Sequence, residues 1–256
     1  MSSDLSRELI LLADGEMVTG VGHMRLTGSD SVGLFPMPFT LRLWNVDDSV
    51  YNLLSDAREL AVLHNGSVLA SGRISNIYRE TVPEGTETEV VFSGGLALWN
   101  VPVSLSVDAG TTVAETVRAI LSSSGTGIQL LSFPGEDKVR TRSQAFFGRA
   151  AECIEDALSA VSARCCLTEA GLCVVPDTGL PVSMELSSKD LLDTPVMTGE
   201  QFLIVRTSVT GWPLGKMIKV RWKDSIWEGL VTERSIDADN TQGKWQAALL
   251  IEVKNV

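Results

Sequence analysis

The side chains in this sequence that could do chemistry are present, but their spacing assembles no reaction centre. Carboxylates recur close together at Glu84/Glu87 and at Glu152/Glu155/Asp156. A glycosidase needs such a pair, one as acid and one as nucleophile or base. Glu152, Glu155 and Asp156, however, fall on the polar side of a helical pattern, where a solvated face is their ordinary role. His23 and His64 stand apart, the first in an alternating run and the second beside Asn65-Gly66. Two isolated imidazoles leave little for acid–base work at neutral pH, so both are read as structural or solvated. The segment Gly211-Trp-Pro-Leu-Gly215-Lys216-Met217 imitates a phosphate loop. It is one residue too short between the glycines, and Met217 stands where a magnesium-binding hydroxyl belongs. It also leads toward a strand, so no helix N-terminus would meet a phosphate. No HExxH, no GxSxG and no GxGxxG after a strand occurs. The expectation is no catalytic residue, no cofactor-binding residue and no metal ligand.

Cys153, Cys165, Cys166 and Cys173 crowd into one stretch without a CxxC and far from both histidines, which argues against zinc. The adjacent Cys165 and Cys166 suit two thiols on opposite faces of a strand, a strained vicinal disulfide being the rare alternative. Reduced thiols imply a reducing compartment. Asn65-Gly66-Ser67 fits a glycosylation sequon, but the opening MSSDLSRELILLADG has no basic leader region, so the tripeptide reads as a turn. No run approaches the roughly 18 apolar residues of a membrane span. The chain is expected to be soluble and made in the cytoplasm.

The elements that hold these residues are mostly strands. Residues 17–27 and 38–44 alternate apolar and polar side chains at the strand period. Asp47 or Asp48 caps a short helix with Val50, Leu53, Leu54 and Ala57 as its apolar stripe. Strands over 60–63 and 68–77 meet at His64-Asn65-Gly66-Ser67, because Asn-Gly supplies the positive φ angles of a type I′ hairpin. A turn at 83–85 precedes a strand over 86–93. In the middle of the chain, Thr112-Val-Ala-Glu115 fits a capping box and opens a helix. A longer helix is predicted over 143–163 from the spacing of Phe147, Ala150, Ala151, Ile154, Ala157, Leu158 and Val161. A hairpin then turns at 169–171. Further strands are predicted over 202–210, 216–222, 225–236 and 245–253, with a tight turn at 223–225.

The fold class is therefore mainly β with an α+β insert, in two small barrel-like β domains. The expected division is 1–100 for the first β domain, 101–180 for the insert and 181–256 for the second. LxLWNV occurs twice, at 41–46 and 96–101, a loose echo between sections. Trp212, Trp222, Trp227 and Trp245 concentrate near the end and serve a small core more readily than an interface. The chain is 256 residues long and carries 21 Lys+Arg against 32 Asp+Glu, a net charge of −11. Such a balance argues against a nucleic-acid or anionic-membrane surface.

The order of these segments resembles a known family. PFTLRLWN leads to VLHNGSVLASGRI, then GGLALWNVPV, AETVRAIL, FGRAAECIEDALSAVSARCCLTEAGLCVVP and LLDTPVMTGEQFLIVRTSVTGWPLGKMIKVRW. Together these are similar to the baseplate hub proteins of contractile-tailed bacteriophages and tailocins. The resemblance implies two β-barrel domains related to the tail-tube fold, with the insert at the periphery. It implies a homotrimer whose six barrels match a sixfold tail tube above and whose threefold axis suits a central spike below. The implied partners are the tail tube protein, the central spike protein and baseplate wedge proteins. The implied place is the tail baseplate of a virion, with the genome passing through the lumen and no specific nucleic-acid binding. No enzymatic activity is implied. A tube-initiator component of another tail or secretion system makes similar demands, and a carbohydrate-binding or carbohydrate-cleaving β protein is the alternative from a different class.

Overall fold

The computed structural model describes residues 7–253 apart from Glu84, Glu169 and Pro213. The opening MSSDLS, Glu84 of the Glu84/Glu87 pair and of the 83–85 turn, Glu169 of the 169–171 turn and Pro213 of the glycine-flanked loop lie outside the described residues.

The first section holds β1 (Ile10–Ala13), β2 (Glu16–Met17), β3 (His23–Ser31), β4 (Phe39–Trp44), α1 (Asp48–Asp56), β5 (Glu59–His64), β6 (Ser67–Val82), β7 (Gly85–Ser93) and a single helical turn α2 (Leu96–Trp99). Asn65 and Gly66 have φ of 49° and 76°, the pair of positive angles a type I′ turn demands, so β5 and β6 form the hairpin their sequence predicts. The Asp47 carboxylate accepts from Val50 N at 2.9 Å and starts α1. Val50 and Leu54 are buried there, whereas Leu53 of the expected stripe is exposed. The continuous strand expected over 17–27 is broken: Gly20 has φ of 83°, and β3 begins only at His23.

The insert holds β8 (Pro102–Val107), α3 (Val113–Ser124), β9 (Leu130–Ser132), β10 (Gln144–Arg149), α4 (Ala150–Ser159), β11 (Ala163–Thr168) and β12 (Gly171–Pro176). The capping box is present: Thr112 Oγ1 accepts from Glu115 N, and Glu115 Oε2 accepts from Thr112 N. The long helix expected over 143–163 is corrected. Gln144–Arg149 instead form β10, paired antiparallel with β8, and Gly148 sits at φ 134°, outside any helix. Phe146 packs inward, while Phe147, expected inside, is 87% exposed. The helical spacing holds only from Ala150, where Ala150, Ala151, Ile154, Ala157 and Leu158 are all buried.

The closing section holds β13 (Val182–Leu186), β14 (Val196–Thr198), β15 (Phe202–Thr207), β16 (Met217–Trp222), β17 (Ser225–Asp239) and β18 (Trp245–Val253). Lys223, at φ 52°, makes the tight turn between β16 and β17. β17 continues beyond the predicted end at Ile236, and the longer strand has a consequence for the whole fold. Its first half pairs with β16, while Glu233–Asp239 pairs antiparallel with β3 of the first section. Among the described residues the two β sections thus share one 13-stranded sheet, running β14-β15-β18-β17-β3-β4-β7-β6-β5-β1-β2 with β16 and β13 branching from β17.

The sheet curls at both ends. Leu11 of β1 and Leu26 of β3 share one core although four strands separate them in the hydrogen-bond order. A second core joins Leu186 of β13 to Leu203 of β15, with Val220, Val231 and Leu249 between them. A third fills the insert between α3, α4 and the β11–β12 hairpin. The LxLWNV echo has no structural counterpart, since Leu41–Trp44 lies in a strand and Leu96–Trp99 in a helical turn. The two hexapeptides, which differ only at Arg42 and Ala97, took different forms because one pairs with β3 and β7 and the other follows Gly94-Gly95.

Candidate functional site: a charged sheet face and its open edges

The strand register builds a polar face across β7, β4, β3 and β17. Glu89, Arg42, Arg25 and Asp239 are successive register partners on these four strands. Arg25 and Arg42 therefore stand directly opposite each other, a repulsive arrangement by itself. Each guanidinium is drawn outward to an acid instead. Arg42 Nε lies 3.0 Å from Glu89 Oε2 and 3.4 Å from Glu87 Oε1. Arg25 donates to both Asp237 oxygens, at 3.0 and 3.2 Å, and that bond raises its pKa. Glu233 lies two residues along β17 from Ser235, on the side of the strand that carries Asp237. Carboxylates outnumber cations on this face.

His23 stacks on Trp44 with ring centroids 4.0 Å apart and places Nε2 3.3 Å from Asp239. Burial pushes the Asp239 carboxyl up, but donors from Thr241 N (2.9 Å), Thr241 Oγ1 (2.8 Å) and His23 outweigh it and hold the group at about 2. His64 is 3% exposed; its Nδ1 donates to Glu8 O at 2.9 Å, and Asn65 Nδ2 donates to Nε2 at 3.0 Å. The two imidazoles are thus held by separate sets of neighbours, one at the β3–β17 seam and one beside the Asn65-Gly66 turn.

The remaining sequence candidates are also dispersed. Gly215 of the glycine-flanked loop has φ of 68°, and a Cβ there would stand 2.6 Å from Val175 Cγ2. The loop thus packs the closing section onto the insert and feeds β16, a strand. Glu152 pairs with Arg149 at 3.6 Å, and Asp156 accepts from Gln144. Glu155, expected to be merely solvated, accepts from Leu34 N at 2.9 Å and ties α4 to the first section. Cys165 points into the insert core and Cys166 to the seam with the closing section, the opposite faces expected of adjacent strand residues. Burial raises both thiols, Cys166 to about 12. Trp212 and Trp245 are buried, whereas Trp222 and Trp227 are half-buried. Among the described residues no group of three or more His, Cys, Asp or Glu could hold a metal ion, and no helix is long and apolar enough to cross a membrane.

Two features escaped the sequence. One is the junction: Arg234 of β17, 7% exposed, donates through Nε to Asp30 Oδ1 at 2.9 Å, through Nη2 to Leu69 O at 2.8 Å and through Nη1 to Trp212 O at 3.1 Å. Burial pushes the Asp30 carboxyl upward, and Arg234 opposes the shift. The other is the pair of sheet ends. Val182 and Met184 of β13, Val196 and Met197 of β14, and Met17 of β2 are exposed apolar side chains on terminal strands. Such edges carry unpaired backbone groups and invite a partner.

The fold is that of phage tail proteins. No family model and no curated sequence matches the chain. Solved structures do. A tail protein from Neisseria meningitidis MC58 superposes with a TM-score of 0.73 at 10% identity, over 95% of each chain. The 43 kDa tail protein of prophage MuSo2 from Shewanella oneidensis gives 0.68 at 11% identity, over 95% of this chain and 97% of that one. The E. coli protein c3393 gives 0.68 at 14% identity, over 96% of this chain and 77% of its own. It is a component of the type VI secretion system with structural similarity to the T4 bacteriophage tail proteins gp27 and gp5. The architecture expected from the hub resemblance, mainly β with tail-tube-like modules, is the one found.

Proposed function

We propose that the chain is a non-enzymatic structural protein, the hub of a contractile-tail baseplate. Three copies form a ring that joins a sixfold tail tube to a threefold central spike and lets the genome pass. The observation that carries this reading is the end-to-end likeness to two tail proteins, which covers 95% of this chain in each case. In this arrangement residues 1–100 and 181–256 each supply one tube-like β domain, so three chains present six. The insert, 101–180, stands outside and meets wedge or spike components. Ring closure covers the apolar ends at β2, β13 and β14, since a head-to-tail contact that closes by rotation leaves no free edge. The face bearing Glu87, Glu89, Glu233 and Asp237 lines the channel, where surplus carboxylate repels DNA phosphates. The protein is made in the host cytoplasm and works in the virion tail.

The test is electron microscopy of the chain assembled with its tail tube protein. A ring of six β domains with these carboxylates inward is the expected image. A ring with the Arg25–Arg42 face outward overturns the channel role. A second reading, the base of a type VI secretion spike, is favoured by the likeness to the E. coli secretion component. It predicts that the ring caps a secretion tube protein in preference to a phage tube protein.

A further inference from the structure

Arg140 lies on a short segment laid along the start of α3. Arg140 N donates to Thr111 O at 2.9 Å, Gly110 N donates to Arg140 O at 2.8 Å, and Val113 N donates to Lys138 O at 3.0 Å. Its guanidinium turns inward. Nε donates to Thr116 Oγ1 at 3.0 Å, Nη1 donates to Gln144 Oε1, and Cζ lies 5.1 Å from the Phe146 ring centroid. All of these partners are neutral. Nη2 is buried and has no hydrogen-bond partner. Asp156 takes its hydrogen bond from Gln144 Nε2 rather than from Arg140. The ion pairs of the insert form elsewhere, at Arg149–Glu152 and around Arg164. A half-buried guanidinium whose partners are all neutral, with its Nη2 amino group unpartnered, is a cation without its counter-charge, and partial burial makes that costly.

A cavity of about 280 Å³ adjoins it, lined by Lys138, Arg140, Arg142 and Gln144. Lys138 Nζ reaches Ala160 O at 3.3 Å, and Arg142 is exposed. None of the three cations has an ion-pair partner among the described residues. Three cations within five residues are unusual in a chain of 21 Lys+Arg against 32 Asp+Glu.

We propose that this cavity is an oxyanion site in which a single carboxylate, an acidic side chain of an assembling polypeptide, supplies the counter-charge to Arg140. The uncompensated charge of Arg140 attracts a carboxylate, and the two flanking cations, both exposed, add to the attraction and can donate to it. The acidity of the rest of the chain disfavours an extended polyanion, while the cavity admits one compact group. Free inorganic phosphate presents the same chemistry and is separated by experiment. The site stands independently of the hub reading.

The test titrates the full chain, with its arginine side chains ¹⁵N-labelled, with sodium glutarate and separately with sodium phosphate. Sodium chloride at matched ionic strength is the reference. The expected result is a saturable shift of the Arg140 side-chain signals with glutarate, accompanied by a rise in Tm. Both effects disappear in the Lys138→Gln/Arg142→Gln double variant, which leaves the contacts of Arg140 intact. Saturation by phosphate alone overturns the polypeptide source. No shift beyond chloride with either anion, or a shift that survives in the double variant, overturns the site.

Discussion

Arg234 and Asp30 are 204 positions apart in sequence and meet in a two-pronged ion pair, Nε to Oδ1 at 2.9 Å and Nη2 to Oδ2 at 2.5 Å. The pair closes the seam where β17 of the closing section runs beside β3 of the first. Through Leu69 O and Trp212 O the same guanidinium also holds β6 and the loop before β16.

Replacing Arg234 with Met is expected to cost about 3 kcal/mol of stability, because it strips the half-buried Asp30 of its partner and Leu69 O and Trp212 O of that donor. Adding Asp30→Leu should recover part of that loss, giving a coupling of at least about 1 kcal/mol between the two sites. Urea unfolding of the two single variants and the double variant measures it. Strictly additive losses would show that the seam does not depend on the pair.

The acid limb of the stability profile is expected to carry the signature of Asp239. Its folded pKa of about 2 lies below the unfolded carboxyl value of about 3.9, so its contribution is fully present above about pH 4. That contribution falls away as pH drops toward about 2. Denaturant midpoints measured from pH 6 to pH 2 should decline less steeply in Asp239→Asn than in the parent chain. Parallel declines would contradict the donor set around this carboxylate.

The thiols are expected to react in order of exposure. Cys165 and Cys166 are buried and their pKa values are raised by desolvation, so little thiolate exists at pH 8. Iodoacetamide on the folded chain should modify Cys173, the half-buried one, first. Mass spectrometry that finds Cys165 modified before Cys173 would refute the packing of the β11–β12 hairpin.

Neighbouring phenylalanines should behave oppositely. Phe146→Ala is expected to cost about 3–5 kcal/mol, since the ring fills the insert core. Phe147→Ser should stay within about 0.5 kcal/mol, because the ring it removes projects into solvent. Thermal or denaturant unfolding of the two variants distinguishes β10 from the helix that the sequence pattern favours.

That contrast marks where the sequence was legible. The Asn65-Gly66 hairpin and the Thr112/Glu115 capping box are local devices whose partners lie within three residues, so pattern and structure agree. Gln144–Arg149 misled because Phe147 happens to fall at helical spacing from Ala150 and Ala151, while its pairing partner β8 lies some 40 positions upstream. The end of β17 at Asp239, rather than Ile236, could be seen only once β3 was beside it. The charged face was equally hidden. Glu89 and Arg42 are 47 positions apart, and nothing in either segment announces the register that makes them neighbours. The hub resemblance was carried by the order of whole segments, and the fold those segments build is shared with a tail protein at 10% identity.

The threefold ring proposed for this chain is tested most directly by its mass in solution. Light scattering over a concentration series from micromolar upward should find a particle of three 27.6 kDa chains. A dimer at every concentration would contradict the threefold hub.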